Sequence, residues 1–378
     1  MRILQVAARM ASLAGFALPL MQRLRDAGHE VEALGQFDGF ERRVRDAGFQ
    51  VHDWRAGHTF HPLAIRRARR ELAAFLEGNA YDAIHTHVSF AGIIGNPVAY
   101  SRTRCLIYTQ HGFYVHPGMN PLLRRVWLAV ERIGLRSAHH VICVSAAEKR
   151  LAETLGVGPP GKFHLVPGVG IDLERFQLAP QDRQRRRAAV RQSLGLGAEE
   201  TVLLTVSRLT WDKGYGELIE AVRRLQAARH RFRLLAAGSG KDERGIRAMV
   251  ERAGVREAFL LLGWRDDVPD LYCAADLFVF ASHREGLPVA PLEALASGLP
   301  VVASDLPGCR EEIAHGQDGL LYPVGDVGAL TAALGRLLTA PEEAARLAAA
   351  GPSRAAAFSL EAALSRQLEL YTRIAREP

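Results

Sequence analysis

The stretch SHREGLPVAPLEALASGLPVVASD, from Ser282 to Asp305, predicts a loop, a helix and a strand in that order. Pro288 and Pro291 are tolerated only in a loop or in a first helical turn, so they mark where the helix begins. Short apolar runs stand on both sides, LFVFAS before the loop and LPVVASD after the helix. The stretch therefore predicts one strand-helix-strand repeat of a parallel sheet.

Similar runs recur between helical patterns in two series along the chain. The first series is RILQVA at Arg2, EVEALG at Glu30, AIHTH at Ala83, CLIYTQ at Cys105 and HHVICVS at His139. The second is TVLLTVS at Thr201, RFRLLAAGSG at Arg231, FLLLGW at Phe259, LFVFAS at Leu277 and LPVVASD at Leu299. Strands that alternate with helices predict an α/β protein with two Rossmann-like, doubly wound parallel-sheet domains.

The chain of 378 residues is long enough for two such domains. We expect an N-terminal domain over 1–175, a linker over 176–199, a C-terminal domain over 200–355 and a final helix over 356–378. The linker is placed where a glycine-rich stretch gives way to a highly charged one. The final segment has apolar residues at helical spacing, so this helix needs a surface to cover.

Charge and composition limit the classes of function. Residues 1–175 carry the whole formal net charge of +7, which would suit nucleic acid, an anionic membrane or a phosphorylated substrate. The longest apolar runs are far shorter than the roughly 20 residues that span a bilayer. Gln5 and Arg9 interrupt the apolar N-terminus, so we expect a cytoplasmic protein rather than a secreted one. The four cysteines lie far apart without a CxxC spacing, which indicates neither a zinc cage nor a disulfide framework.

Two cations follow the first strand of the second series. Arg208 and Lys213 flank the loop RLTWDKG, at the carboxyl end of a parallel strand, where such sheets bind ligands. Together they suit a diphosphate, because each charge-assisted hydrogen bond contributes roughly 1.5 to 3 kcal/mol. The glycine spacing is not that of a Walker loop. The alternative is a pair of solvated cations at a helix entry.

The opening stretch carries two carboxylates, Glu285 in the loop and Glu293 just inside the helix. A continuous helix would separate them by about 12 Å, which is too far to share one proton. They are therefore expected to touch different parts of an extended ligand, while the backbone N–H groups of Gly286 and Leu287 face the same crevice. The alternative is that Glu293 only complements the helix dipole and Glu285 only decorates a loop.

These pieces together resemble the GT-B retaining glycosyltransferases with an E-x7-E motif, known as glycosyltransferase family 4 or group 1. The resemblance rests on Arg208 and Lys213, on EGLPVAPLE, and on EALASGLPVVASDLPGCREEI with DGLLYPVGD. It continues upstream through HTHVSFAG, TQHG, CVSAAEK and VPGVGIDLERF, and so covers nearly the whole chain. The forms PGVGID, REGLP and LPGCREEI look most similar to bacterial enzymes of capsule, exopolysaccharide and lipid-linked glycan assembly.

The resemblance implies two domains that face a central cleft, with the final helix returning to the first domain. It also implies a role for each matched residue. Arg208 and Lys213, with the amides of Gly286 and Leu287, would hold the diphosphate end of a nucleotide sugar; Glu293 would bind the ribose; Glu285 and His111 would be the catalytic residues at the donor sugar; and Gly263 and Trp264 would lie along the base.

Some residues keep a structural alternative. His111 could be a hydrogen-bonded core histidine, although Gly112 beside it favours a close approach to a ligand. Trp264 could simply pack. His85 and His87 share one face of a strand, but no third ligand is spaced to complete a metal site, so we interpret them as structural. Many family members have a glycine-rich turn after the first strand, whereas ARMASLAGFALPL has Gly15 alone on this acceptor side.

The resulting hypothesis is transfer of a sugar, with retention, from a UDP- or GDP-linked donor to a hydroxyl of a lipid-linked glycan. It needs no metal and no cofactor besides the donor substrate. Two basic, amphipathic segments could rest on an anionic membrane, or could be solvated outer faces of helices. Their arginines are Arg66, Arg67, Arg69, Arg70, Arg124, Arg125, Arg132 and Arg136. A non-hydrolysing sugar-nucleotide epimerase and a nucleic-acid-binding protein remain as alternatives, the latter without a supporting motif.

Overall fold

The computed structural model describes residues 1–57, 61–113, 115 and 119–374. The chain divides into two compact units. Unit 1 comprises Met1–Val169 and Glu361–Pro378, and unit 2 comprises Gly170–Leu360. Each unit is built on one parallel sheet, which confirms the predicted class of two doubly wound α/β domains.

Unit 1 contains a seven-stranded parallel sheet with the strand order β3-β2-β1-β4-β5-β6-β7. Its strands are β1 (Arg2–Arg9), β2 (Glu30–Gln36), β3 (Gln50–Asp53), β4 (Ala83–His87), β5 (Cys105–Thr109), β6 (His140–Cys143) and β7 (Phe163–Leu165). Its helices before residue 170 are α1 (Met10–Ser12), α2 (Leu18–Asp26), α3 (Glu41–Asp46), α4 (Pro62–Glu77), α5 (Val88–Ala99), α6 (Pro121–Arg136) and α7 (Ala146–Thr154). A π-helical turn, Leu13–Ala17, joins α1 to α2. The strand order reverses between β1 and β4.

Unit 2 contains a six-stranded parallel sheet with the order β10-β9-β8-β11-β12-β13. Its strands are β8 (Val202–Val206), β9 (Arg233–Ala237), β10 (Phe259–Gly263), β11 (Leu277–Phe280), β12 (Val301–Ser304) and β13 (Leu320–Tyr322). Its helices are α8 (Pro180–Ser193), α9 (Tyr215–Ala227), α10 (Glu243–Arg252), α11 (Val268–Ala274), α12 (Val289–Ala296), α13 (Pro307–Glu312), α14 (Val327–Thr339) and α15 (Pro341–Ala356). Along β8, Val202 and Leu204 join one buried apolar cluster and Leu203 joins another. The sheet is therefore covered on both faces.

The last helix is α16 (Leu360–Ile374), and residues from Glu361 onward belong to unit 1. Its apolar face, which includes Leu364 and Tyr371, is buried. At its first residue, the backbone N–H of Leu360 donates to the carbonyl of Ile171 at 2.7 Å. The segment that leaves unit 1 near Ile171 therefore pairs with the segment that returns to it at Leu360. Residues 375–378 of the predicted final segment lie outside the described residues.

The segment predicted as a linker, 176–199, differs from that expectation. It contains α8 and lies in unit 2. Arg187 and Arg191 form ion pairs of 2.6 and 2.7 Å with the two carboxylate oxygens of Asp276. Part of this charge run therefore attaches α8 to the rest of unit 2.

None of the helices in the described part of the chain is long and apolar enough to cross a membrane.

Candidate functional site

The strand order of unit 2 reverses between the adjacent strands β8 and β11, and ligands bind at such a reversal in open parallel sheets. The loops that follow these strands meet at Gly214, whose φ is 73°. A Cβ on Gly214 would lie 2.0 Å from the carbonyl oxygen of Ala281. The backbone N–H of His283 also donates to the carbonyl of Asp212 at 2.9 Å. Glycine at 214 is therefore what lets the two loops approach.

This approach pairs Lys213 with Glu285. The Lys213 Nζ donates to Glu285 Oε1 at 2.5 Å, and the Ser282 Oγ donates to the same oxygen at 3.1 Å. The Lys213 side chain is 9% exposed and that of Glu285 is 22% exposed, so water screens this pair only in part. Two predicted site residues that lie 72 positions apart in sequence thus form one ion pair at the carboxyl edge of the sheet.

Arg208, the other predicted diphosphate ligand, lies in the same loop but faces solvent. Its guanidinium is 3.7 Å from Asp212 Oδ2, and its side chain is 65% exposed. An ion pair this exposed contributes little to stability. The Arg208 side chain is therefore available to an anionic ligand at small cost.

Gly286 and Leu287 precede α12, which begins at Val289 after Pro288. The first turn of α13 packs directly on them, because a Cβ on Gly308 would lie 2.2 Å from the carbonyl oxygen of Gly286. Because Gly308 has no side chain, α13 can approach the backbone of the loop directly after Glu285.

Glu293 lies in α12 and accepts a hydrogen bond of 3.0 Å from the hydroxyl of Tyr272. Burial raises the pKa of the Glu293 carboxyl to about 7, while the Tyr272 hydroxyl and the charge of Arg175 act in the opposite direction. Lys213 and Ser282 bind Glu285, whereas Tyr272 binds Glu293. Among the described residues the two glutamates therefore have no hydrogen-bonding partner in common.

Gly263 and Trp264, the predicted base contacts, end β10 and begin the following loop. Gly263 has a φ of 70°, and its carbonyl accepts the backbone N–H of Gly238 at 2.8 Å. The Trp264 ring is 67% exposed, and its Nε1 donates to Asp266 Oδ1 at 3.0 Å. Trp264 is thus a surface side chain rather than a core one.

In unit 1, His111 follows β5 and has a φ of 54°, a left-handed conformation that is uncommon for a residue with a side chain. Its ring stacks on Phe16, with 5.2 Å between the centroids, and Phe16 is 44% exposed. Loss of contact with water lowers the pKa of His111 to about 4, so the ring is neutral at pH 7. Gly15 stands beside Phe16 in the π-helical turn, and a Cβ there would meet no atom within 4 Å.

Group 1 glycosyltransferases match this chain in its sequence. The family model described as "Glycosyl transferases group 1" covers residues 186–354, and the model described as "Glycosyl transferase 4-like domain" covers residues 14–168. A D-inositol 3-phosphate glycosyltransferase of Thermobispora bispora is 30% identical over 94% of this chain and 88% of its own length. The chain belongs to the group 1 glycosyltransferases.

A further sequence relative and a solved structure are similar to this glycosyltransferase over nearly its whole length. An N,N'-diacetylbacillosaminyl-diphospho-undecaprenol alpha-1,3-N-acetylgalactosaminyltransferase of Campylobacter jejuni is 26% identical over 96% of each chain. The crystal structure of Anabaena HepE in complex with UDP covers 99% of this chain and 100% of its own, with a TM-score of 0.79 at 21% identity. The structural likeness extends over both units, and it shows the GT-B fold.

Two features of this glycosyltransferase near Glu285 were missed in the sequence. The Glu312 carboxyl, in α13, is buried, and neither of its oxygens has a hydrogen-bond partner among the residues that the structure describes. Burial and the nearby Glu285 charge raise its pKa well above the ordinary value. His283 Nε2 lies 2.7 Å from Glu217 Oε1, and this contact raises the pKa of His283. Both residues stood in quoted motifs, but local pattern does not reveal burial or pairing.

The described residues contain no group of three or more histidine, cysteine, aspartate or glutamate side chains that could hold a metal ion. The four cysteines are buried, and none of them forms a disulfide.

Proposed function

We propose that this glycosyltransferase moves a sugar from a UDP- or GDP-linked donor to a hydroxyl, with retention at the anomeric carbon. The observation that carries the proposal is the pair of Lys213 and Glu285 at the strand-order reversal of unit 2, where β8 and β11 end together. A lysine held there by one carboxylate is placed to exchange part of that interaction for a phosphate.

The donor would lie along the carboxyl edge of the unit 2 sheet. Lys213 and the exposed Arg208 would bind the diphosphate, and the amides of Gly286 and Leu287 would support it. The Glu293 carboxylate would accept the ribose hydroxyls, and Gly263 with the exposed Trp264 would flank the base. Glu285 would contact the donor sugar, and His111 of unit 1 would be the second catalytic residue.

This arrangement suits the charges that develop during transfer. When the glycosidic bond breaks, negative charge grows on the departing diphosphate and positive charge grows on the sugar ring. Lys213 and Arg208 oppose the first charge and Glu285 opposes the second, so each interaction is stronger in the transition state than in the ground state. We propose same-face attack by the acceptor hydroxyl, assisted by the departing phosphate, because no side chain is identified as a carboxylate nucleophile.

The same two cations would make a metal unnecessary. Fixed positive side chains supply the charge neutralisation that a divalent ion gives in other transferases. The rate of transfer is therefore expected to be the same with excess chelator as with added Mg²⁺ or Mn²⁺. A rate that falls with chelator and returns with metal would contradict this part of the proposal.

A lipid-linked glycan is the acceptor that we propose. The Campylobacter jejuni relative is named for an undecaprenol-linked acceptor. The first turns of α6 would meet the membrane, because the exposed Leu122, Leu123 and Val126 flank Arg124 and Arg125. Exposed apolar side chains next to arginines suit an anionic interface.

Not all the basic residues of α4 and α6 belong to this surface. Arg69 donates to the carbonyls of Ile93 and Ile94, and Arg132 donates to the carbonyl of Leu155. Gly15, on the acceptor side, has open space around it.

Co-sedimentation with liposomes tests the membrane contact. Binding is expected to need anionic lipid, to weaken with salt, and to fall in the double variant Arg124→Gln/Arg125→Gln. The matched control is Arg42→Gln/Arg43→Gln, which removes the same charge from the exposed part of α3. Equal binding of the two double variants would remove α6 from the proposal.

Product analysis tests the transfer itself. The chain is incubated with UDP- and GDP-sugars and a polyprenyl-diphosphate-linked sugar, and the anomeric configuration of the product is read by NMR. Glu285→Gln is expected to lose transfer about a hundredfold or more, whereas Glu220→Gln, at a half-buried glutamate of α9 that pairs with Arg223 and Arg224, is expected to keep it. Inversion at the anomeric carbon would refute retention, and conversion of the nucleotide sugar without any acceptor would favour the epimerase.

A further inference from the structure

A chain of hydrogen bonds crosses the carboxyl edge of the unit 1 sheet and ends on His111. Apart from His111, its members are buried. In order they are His111, His87, Gln5, Tyr371, His85 and Thr109. They come from β1, β4, β5, the residues after β5, and α16.

The first part of the chain joins His111 to Gln5. His111 Nε2 lies 3.3 Å from His87 Nδ1, and His87 Nε2 lies 2.7 Å from Gln5 Oε1. With the Gln5 amide oriented so that Oε1 faces His87, that oxygen can only accept a hydrogen bond, so His87 carries its proton on Nε2. The Nδ1 of a neutral His87 is then an acceptor, which requires the proton of His111 to be on Nε2 as well.

The second part joins Gln5 to Thr109. Gln5 Nε2 donates to the Tyr371 hydroxyl oxygen at 3.0 Å, and that hydroxyl lies 2.8 Å from His85 Nδ1. Since its oxygen already accepts from Gln5, Tyr371 gives its own proton to His85. His85 Nε2 then donates to the Thr109 hydroxyl at 2.7 Å.

The three imidazoles are neutral at physiological pH. Burial lowers the pKa of His85 to about 3 and that of His111 to about 4. Burial and the two neighbouring rings lower the pKa of His87 well below its usual value. Burial raises the pKa of Tyr371, so its hydroxyl keeps the proton that His85 needs. Every link therefore has one donor and one acceptor.

Backbone strain is found at the same place. Val88, directly after His87, has a φ of 69°, and His111 has a φ of 54°. A β-branched residue in this region is a rare outlier, and such strain costs on the order of 1 to 3 kcal/mol. Val88 adjoins His87, and His111 is itself strained. The positions of these two rings are therefore maintained at a cost in stability.

We propose that Tyr371 of α16 is a positioning residue that, through Gln5 and His87, fixes His111 as the Nε2–H tautomer. The Nδ1 of His111 is then its only ring acceptor, available to a hydroxyl of the donor sugar. This inference rests on the proposed function, because it gives His111 a sugar hydroxyl as its partner. It makes the last helix of the chain a part of the site, although Tyr371 and Gln5 are 366 positions apart.

The tautomers of the three histidines in the full-length protein test this hydrogen-bond chain directly. Long-range ¹H–¹⁵N correlation of the imidazoles is expected to show His85, His87 and His111 all as neutral Nε2–H rings at pH 7. If the Gln5 amide pointed the other way, all three would be Nδ1–H rings. A His111 that is Nδ1–H or charged would overturn the proposal, and the wild-type spectrum suffices for this decision.

The variant Tyr371→Phe tests the positioning role. Without the hydroxyl, the Gln5 amide loses its hydrogen bond to Tyr371 and its link to His85, so it is free to turn over, and we expect signals of both His111 tautomers. The donor KM should rise about two- to tenfold with kcat nearly unchanged, because only one tautomer binds the sugar. Tyr100→Phe, which removes the hydroxyl of an exposed tyrosine of unit 1, is the control.

The two outcomes separate this inference from the proposed function. A Tyr371→Phe enzyme with the wild-type His111 tautomer and donor KM would show that Tyr371 does not position His111, whatever the reaction. The expected tautomers in a protein that transfers no sugar would contradict the proposed function but not the hydrogen-bond chain.

Discussion

The carboxyl edges of the two sheets have the same architecture and opposite chemistry. Both sheets reverse their strand order beside the first strand, β1 in unit 1 and β8 in unit 2. The edge in unit 1 is a neutral hydrogen-bonded chain of histidines, Gln5 and Tyr371. The edge in unit 2 carries charge, in the pairs Lys213 with Glu285 and His283 with Glu217.

The two edges differ because different kinds of side chain are buried at each of them. In unit 1 burial removes charge, because the histidines that lose water remain neutral and satisfy one another. In unit 2 the buried lysine Lys213 is paired with the carboxylate of Glu285. A charged edge suits a diphosphate, and a neutral one suits hydroxyls. We therefore expect the two edges to bind different groups of a ligand through the residues at their strand ends.

The largest effect is expected from removal of the unit 2 charge. Lys213→Met should lower kcat/KM for the donor about a hundredfold or more, because a preorganised cation at the leaving group is lost. Lys149→Met is the control, since Lys149 is a partly exposed lysine of unit 1 that pairs with Glu153 at 3.8 Å. Steady-state kinetics of both variants make the measurement. Equal losses would mean that charge at the unit 2 edge has no special role.

A smaller effect is expected from pH. The ribose hydroxyls should bind the carboxylate form of Glu293, whose pKa of about 7 means that affinity rises as pH rises. Between pH 6 and pH 8 the donor affinity should increase about tenfold, with proton release on binding. Calorimetry with an intact nucleotide sugar, in buffers of different ionisation enthalpy, measures both quantities.

Glu293→Gln should flatten this pH profile, while the unit 1 histidines, with pKa values of about 3 and 4 for His85 and His111, should not contribute. A profile that persists in the variant would assign the titration to another group, of which His283 is the candidate, because its pKa is raised.

The smallest effect is expected on stability. The pKa of Glu312 is raised in the folded state, so its stabilising contribution is complete below its unfolded pKa and is lost as pH rises through the folded pKa. Glu312→Gln should match the wild type near pH 5 and unfold about 2–4 °C higher at pH 9. Scanning calorimetry measures this difference, with the exposed Glu199→Gln as control. A variant that is less stable than the wild type at pH 9 would contradict a buried, unpartnered carboxyl.

All interior strands of the two sheets were predictable from the sequence, whereas three of the four strands at the ends of the sheets were not. All ten predicted runs form strands, whereas β3, β7 and β13 were missed, and each of these lies at the end of its sheet. An edge strand pairs with one neighbour only and needs fewer apolar residues, as QVHD in β3 illustrates. Residues 176–199, expected as a linker, lie in unit 2, and the charge run alone does not reveal that Asp276, far along the chain, pairs with Arg187 and Arg191.

The sequence by itself determined the alternation of strands and helices, and it placed Lys213, Glu285 and His111 at strand ends. Only the tertiary structure joined Lys213 to Glu285, buried Glu312 with no hydrogen-bond partner in the described part of the chain, and brought Tyr371 into a hydrogen-bonded series with Gln5 and His111. Local periodicity reports which face of an element is buried, but a hydrogen bond depends on distances between side chains that are remote in sequence. Those distances are set by the packing of the whole unit.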